Sequence, residues 1–203
     1  MILLASASPR RKSLLGQLVK EFEILPADID ETPLLHEAAP DYVKRMALEK
    51  AKAAALLSKQ SKLSPSERAI IIGSDTSVVL NGAILGKPEN LDHARSMLRM
   101  LSGETHEVMT SICILDARFD HILIENVITQ VTFRRISDLE ISQYWQSGEP
   151  QDKAGAYGIQ GLGSVFVESI RGSYSAVVGL PLYETAQLLQ EIGIMPLQEM
   201  SNE

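Results

Sequence analysis

Cysteine is nearly absent from this chain of 203 residues: Cys113 is the only one. No intramolecular disulfide can form, and the thiol falls in the apolar run Ile112 to Leu115, where a buried structural role is expected. Excess positive charge is missing too. The chain has 19 Lys and Arg against 26 Asp and Glu, a net charge of -7, the opposite of the basic surface on which nucleic-acid affinity rests. Phosphate binding, if there is any, must use positive charge concentrated locally. No apolar run approaches the roughly 20 residues that cross a bilayer. The start Met1 to Ser6 is too short for a signal peptide and lacks a leading basic stretch. A cytoplasmic protein with no membrane or nucleic-acid partner is the expectation.

Several catalytic signatures are also lacking. There is no GxxxxGK followed by Ser or Thr, so a P-loop NTPase is disfavoured, and Gly158 to Gly163 does not have the GxGxxG spacing. His36, His93, His106 and His121 lack zinc-like spacing, and no His or Cys arrangement suggests a covalent nucleophile. What remains is carboxylates and cations, the means of metal-assisted water attack on phosphorus.

The chain is 45% hydrophobic and 22% charged, the balance of a globular protein with a substantial core. Ile2 to Ala5 reads as a strand. Ser8 followed by Pro9 reads as an N-cap and first-turn proline, opening a helix with Leu14, Leu15 and Leu18 as its buried stripe. A second helix is predicted from near Pro40 to about Ser58, with Val43, Met46, Ala47, Ala54 and Leu57 on one face, followed by a polar loop over Lys59 to Arg68. Ala69 to Leu80 is rich in β-branched residues and ends at Asn81-Gly82, a two-residue hairpin signal. A helix from about Asp92 to Leu101 buries Ala94, Met97, Leu98 and Leu101 and stops at Gly103. Val108 to Leu115 and Ile122 to Phe133 read as strands, and Ser137 to Glu140 as a capping box opening a helix that ends near Gly148. Beyond it lie a glycine-rich loop from Glu149 to Gly163, a strand from Val165 to Ile170, a short strand ending at Val178, a last helix from Pro181, and a ragged tail after Gly193. The sum is one α/β domain over residues 1–203 with a mixed sheet and flanking helices.

Three features fit this pattern poorly. Arg10, Arg11 and Lys12 crowd the first helical turn, where the helix dipole already presents partial positive charge and cations cost a few tenths of a kcal/mol. An anion at that terminus, helped by the hydroxyls of Ser6 and Ser8, would reverse the sign; a solvated basic end is the alternative. Arg11 continues the stripe of Leu15 and Leu18, so it points inward. Lys50 sits on the apolar face of the second helix, where it either snorkels to the edge or faces a buried acid or a phosphate. Asp75 interrupts the apolar strand Ile70 to Thr76 and needs a partner, a metal or a bound water. If the Asn81-Gly82 hairpin is regular, Leu80 pairs with Ala83 and Lys87 falls opposite Thr76, within roughly 5 to 8 Å of Asp75. A purely structural Asp75–Lys87 pair is the other reading. Asp30 and Glu31 supply carboxylates suited to a divalent cation, although a solvated turn accounts for them as well.

Taken in order, Ser6-x-Ser8-Pro9-Arg10-Arg11, Glu49-Lys50-Ala51, Gly73-x-Asp75-Thr76, Lys87-Pro88 and Leu101-Ser102-Gly103 resemble successive motifs of the Maf family. So do Asp152 to Gly161, Gly172-Ser173-Tyr174 and Val178-Gly179-Leu180-Pro181. The resemblance implies an α/β fold of two lobes around a central cleft, similar to inosine-triphosphate pyrophosphatases. It implies cleavage of a nucleoside triphosphate to its monophosphate and pyrophosphate, with a divalent cation, magnesium or manganese, and in many members a homodimer. The stretch Asp152 to Gly161 resembles the branch acting on dTTP and UTP. By motif position, Asp75 is the proton acceptor and, with Glu31, a metal ligand. Ser8, Arg10, Lys50 and Lys87 match phosphate-site positions, and Arg11, Thr76 and Gln160 match positions tied to substrate choice. Ser74 stands where alanine is more usual. Maf proteins are also associated with septum formation, so a non-catalytic nucleotide-binding regulator of cell division is the rival expectation.

Overall fold

The computed structural model describes residues 1–60, 69–116, 119 and 121–196. These fall into two compact units. The first takes its residues from within 1–75, 110–126 and 179–203, the second from 76–109 and 127–178.

In the first unit, β1 (Ile2–Leu4) pairs in parallel with β2 (Glu23–Ile24) on one side and with the start of β3 (Ile70–Leu80) on the other. The register sets Leu3 beside Ile71 and Leu4 beside Ile72, so consecutive residues are apolar and buried on both faces. Between β1 and β2 lies α1 (Pro9–Leu15), whose N-cap is Ser8 as expected: its Oγ accepts from the Arg11 amide. This helix stops at Gly16, so Leu18, predicted on its stripe, lies in the following turn, and Val19 is the residue that buries.

The second helix, α2 (Ala39–Gln60), outruns its predicted end. Its buried stripe runs through Val43, Met46, Ala47, Ala51, Ala54 and Ser58. Leu57, placed on that face from the sequence, is 39% exposed, because the stripe continues at Ser58, whose hydroxyl bonds the Ala55 carbonyl. The expected Lys59 to Arg68 loop lies, from 61 onward, outside the described residues, as does the tail from 197. Leu3, Ala5, Ala47, Ala51, Ile71, Cys113 and Leu115 share one core cluster. Cys113 is the buried structural thiol anticipated, and burial pushes its pKa up to about 12. This unit also holds α6 (Leu182–Glu191), with Pro181 as its N-cap.

The second unit opens with the remainder of β3 and its hairpin to β4 (Ala83–Leu85). Leu80 pairs with Ala83 as predicted, across Asn81 at φ 51° and Gly82 at φ 80°, the left-handed pair a two-residue turn requires. Next come α3 (Leu91–Leu101), burying Ala94, Met97, Leu98 and Leu101, and α4 (Asp138–Gln146), opened by the reciprocal Ser137/Glu140 capping box. Strands β5 (Thr105–Asp116) and β6 (His121–Phe133), like β3, have residues in both units.

Two secondary-structure expectations fail in this unit. Leu162–Phe166 is a 3-10 turn, so the strand expected from Val165 begins only at β7 (Val167–Arg171). The strand expected to end at Val178 is a helix, α5 (Tyr174–Val178), because the Ser173 hydroxyl caps the Ala176 amide. The strands follow the order β2-β1-β3-β5-β6-β7, with β4 on β3, in a seven-stranded sheet. It mixes parallel and antiparallel pairs and is flanked by helices, as the sequence implied. No helix among the described residues is long and apolar enough to cross a membrane.

Candidate functional site

Lys50 and Asp75 meet because β3 runs unusually close to α2. A Cβ on Gly73 would strike the carbonyl oxygen of Ala47 and lie 2.9 Å from the Ala51 amide, so only glycine permits the approach. Lys50, 9% exposed, thereby points its ammonium at Asp75, 7% exposed, with Nζ 2.7 Å from Oδ1. The same Nζ lies 2.6 Å from Oε1 of the half-exposed Glu31. Of the fates open to Lys50, the structure selects the buried acid. One buried cation between two carboxylates satisfies the rule that interior charge must be paired.

Glu31 belongs to a segment fastened onto α2. The Tyr42 hydroxyl donates to the Glu31 carbonyl at 2.8 Å, and Arg45 donates to the Thr32 carbonyl at 3.1 Å. Arg45 also forms a two-pronged ion pair with Glu37, at 2.6 and 2.7 Å. Burial, assisted by the charges of Asp75 and Glu31, pushes the Tyr42 phenol up to about 12, so it stays a donor. Asp30, the neighbouring acid, turns to the Thr32 amide.

The start of α1 carries a second set of donors in this unit. Arg11 does turn inward: its Nε donates to the Gly179 carbonyl at 2.9 Å and its Nη1 to Ser6 Oγ at 3.3 Å. Burial lowers its pKa; the Asp75 carboxylate opposes that shift, Arg10 adds to it, and Glu31 opposes it. Arg11 therefore lies within the field of both carboxylates. Arg10 is half-buried and Lys12 exposed. Ser74, fully buried, donates its hydroxyl at 3.1 Å to the Gly179 carbonyl that also receives Arg11.

The remaining candidates lie in the second unit. Thr76 follows Asp75 on β3 and is half-buried. Lys87 is exposed, and the ladder that was to set it opposite Thr76 ends at Val78↔Leu85. The chain leaves the ladder there because the Gly86 carbonyl accepts the Gly155 amide and Pro88 has no amide to continue the pairing. Gln160 is exposed in the loop between Gly158 and Gly163. Among the described residues no group of three His, Cys, Asp or Glu side chains is gathered as a metal site.

The family model described as Maf-like protein matches residues 1–192. The chain belongs to the Maf family. It is similar to proteins named dTTP/UTP pyrophosphatase from Shewanella frigidimarina, 53% identical over 92% of this chain and 94% of the relative, and from Escherichia coli O157:H7, 50% identical over 95% and 93%. A relative of the same name from Hahella chejuensis is 49% identical over 95% of this chain and 92% of its own length. A solved structure titled as the Staphylococcus aureus Ham1 protein aligns with 65% of this chain and 71% of its own at a TM-score of 0.43 and 14% identity, a likeness that supports no conclusion.

Against these Maf motifs, the sequence left three contributors unmarked. Tyr42 and Arg45 looked like ordinary helix residues, and Gly73 like part of a motif rather than a close approach. Only Gly73 carried a signal: a glycine inside a strand marks close passage of another backbone.

Proposed function

We propose that this protein is a nucleoside-triphosphate pyrophosphatase that hydrolyses dTTP and UTP to the monophosphate and pyrophosphate. The observation that carries the reading is the Lys50 ammonium bound at once by Asp75 and Glu31, with Arg11 in the field of both carboxylates. An acidic protein that gathers buried cations and carboxylates in one place has the groups that polyphosphate hydrolysis uses. The names of relatives about half identical to the chain supply the bond and the base.

In this reading Asp75 accepts the proton of a water whose oxygen bonds to the α-phosphorus. The bond to the α–β bridging oxygen breaks, and that oxygen departs with pyrophosphate. Lys50 holds Oδ1 of Asp75, which leaves Oδ2 to take the proton. Arg10, Arg11, Lys50 and Lys87 neutralise charge on the phosphate oxygens, Ser8 lends its hydroxyl, and Arg11, Thr76 and Gln160 choose the base.

The donor set fits magnesium or manganese. Asp75 and Glu31 are hard oxygen ligands, both already directed at one cation. The two carboxylates would hold the ion, which would supply further charge neutralisation on the phosphates. A homodimer and a cytoplasmic location belong to the same proposal, and light scattering of the purified protein tests the first.

Hydrolysis of dTTP or UTP in oxygen-18 water with magnesium tests the reaction. Label in the monophosphate, with unlabelled pyrophosphate, is expected. Labelled orthophosphate beside a diphosphate would make it a simple phosphatase, and intact nucleotide would favour the binding regulator.

A further inference from the structure

We infer that Glu149 is a positioning residue for base selection, holding through Tyr144 and two main-chain amides the turn that presents Gln160. This rests on the reading that Gln160 contacts the base. Glu149 follows Gly148, which takes the left-handed conformation at φ 77°, and opens the 3-10 turn Glu149–Asp152. Its side chain does not face solvent as a loop acid ordinarily does. Oε2 accepts the Leu162 amide at 2.7 Å, and Oε1 accepts the Gly163 amide at 3.0 Å and the Tyr144 hydroxyl at 2.7 Å. That hydroxyl in turn accepts the Gly158 amide at 3.0 Å.

One carboxylate and one phenol therefore hold both ends of the segment 158–163, with Gln160 exposed at its middle. The segment wraps them without slack. A Cβ on Gly161 would collide with the Glu149 carboxylate, and one on Gly163 would lie 2.6 Å from the Tyr144 oxygen. Ile159, the residue before Gln160, is buried at 9% exposed and anchors that side of the turn.

The charge state agrees with this arrangement. Burial opposes ionisation of Glu149, but the Gly163 amide, the Tyr144 hydroxyl and the Leu162 amide outweigh it and leave the pKa below the ordinary carboxylate value. A carboxylate is the right group because all three partners donate. A glutamine of the same size turns one of its two acceptors into a donor aimed at a donor.

The test is Glu149→Gln, with Tyr144→Phe as a second variant that removes only the hydroxyl. Each is assayed for kcat and KM on UTP and CTP and for exchange of the Leu162 and Gly163 amides by NMR. We expect Glu149→Gln to speed exchange at both amides and to lower the UTP-to-CTP ratio of kcat/KM by roughly 10-fold, through KM more than kcat, as a displaced contact does. Tyr144→Phe should shift the ratio the same way by less. Amides that stay protected in Glu149→Gln would show that the carboxylate does not hold the turn. Faster exchange with an unchanged ratio would show that the held turn does not choose the base. Either outcome overturns the proposal. Wild-type protein that leaves every triphosphate intact would instead overturn the function reading, and the exchange rates alone would then decide whether Glu149 holds the turn.

Discussion

The cluster around Lys50 and the turn around Glu149 are both organised by carboxylates, but they are assembled over opposite distances along the chain. Glu31, Lys50 and Asp75 come from a loop, a helix and a strand. Tyr144, Glu149, Gly158, Leu162 and Gly163 all fall within twenty residues. The long-range cluster was nevertheless the easier to find. A charge on an apolar stripe or in an apolar strand contradicts its surroundings and so marks itself. An acid beside Gly148 and Pro150 contradicts nothing, and its partners are mostly main-chain amides, which have no identity in a sequence. Visibility depends on conflict with local pattern, not on nearness in the chain.

The sharpest way to break that comparison is Lys50→Met. It leaves Asp75 buried without its cation, and removal of one partner from a buried pair costs about 3 kcal/mol or more. Urea unfolding should show that loss; unchanged stability would mean the cluster is solvated and no different from a surface pair. Asp75→Asn comes next, with a fall in kcat of at least ~100-fold and nucleotide binding retained. Most of the turnover surviving would make the cluster structural and put the base elsewhere.

The second unit holds a buried titratable group of another kind, one that burial keeps neutral. His106 is 1% exposed, bonds the Tyr157 hydroxyl through Nε2 at 2.8 Å, packs edge-on against Phe133, and is pushed down to about 4 by burial. Its folded pKa lies below the ordinary value of 6.5, so protonation favours the unfolded chain. The contribution is complete above about pH 6.5 and is lost as pH falls from there toward about 4. Between about pH 7 and about pH 4.5 wild-type protein should lose about 2 kcal/mol more stability than His106→Asn. Parallel pH profiles for the two proteins would show that the imidazole is not buried neutral.

The smallest effect is expected at Gln160→Ala. The ratio of kcat/KM for UTP over CTP should fall by roughly 10-fold while kcat on the best substrate changes little, because a side-chain amide matches the carbonyl and N–H edge of uracil and not the reversed edge of cytosine. An unchanged ratio would mean Gln160 does not read the base.

Much of the architecture was legible because it rests on local rules. The Ser8 cap, the Asn81-Gly82 turn, the stripe of Ala94, Met97, Leu98 and Leu101, and the Ser137/Glu140 box depend only on residues a few positions apart. Two misjudged pieces had their extended pattern overridden by a hydrogen bond, one to a distant backbone and one only three residues away. Lys87 left its extrapolated register because Gly86 was claimed by Gly155, and the stretch before Val178 became helix under the Ser173 cap.

By itself, the sequence determined which side chains were out of place: Arg11, Lys50 and Asp75 all carry charge where burial is expected. Periodicity is a property of the chain, and a violation of it can be read without knowing the partner. Only the tertiary structure decided what answers each charge. Lys50 lies between Asp75 and Glu31 because Gly73 lets a strand press against a helix, and Arg11 reaches a carbonyl 168 residues away. Pairing of buried charge depends on distance in space, which the packing of backbones sets and the order of residues does not.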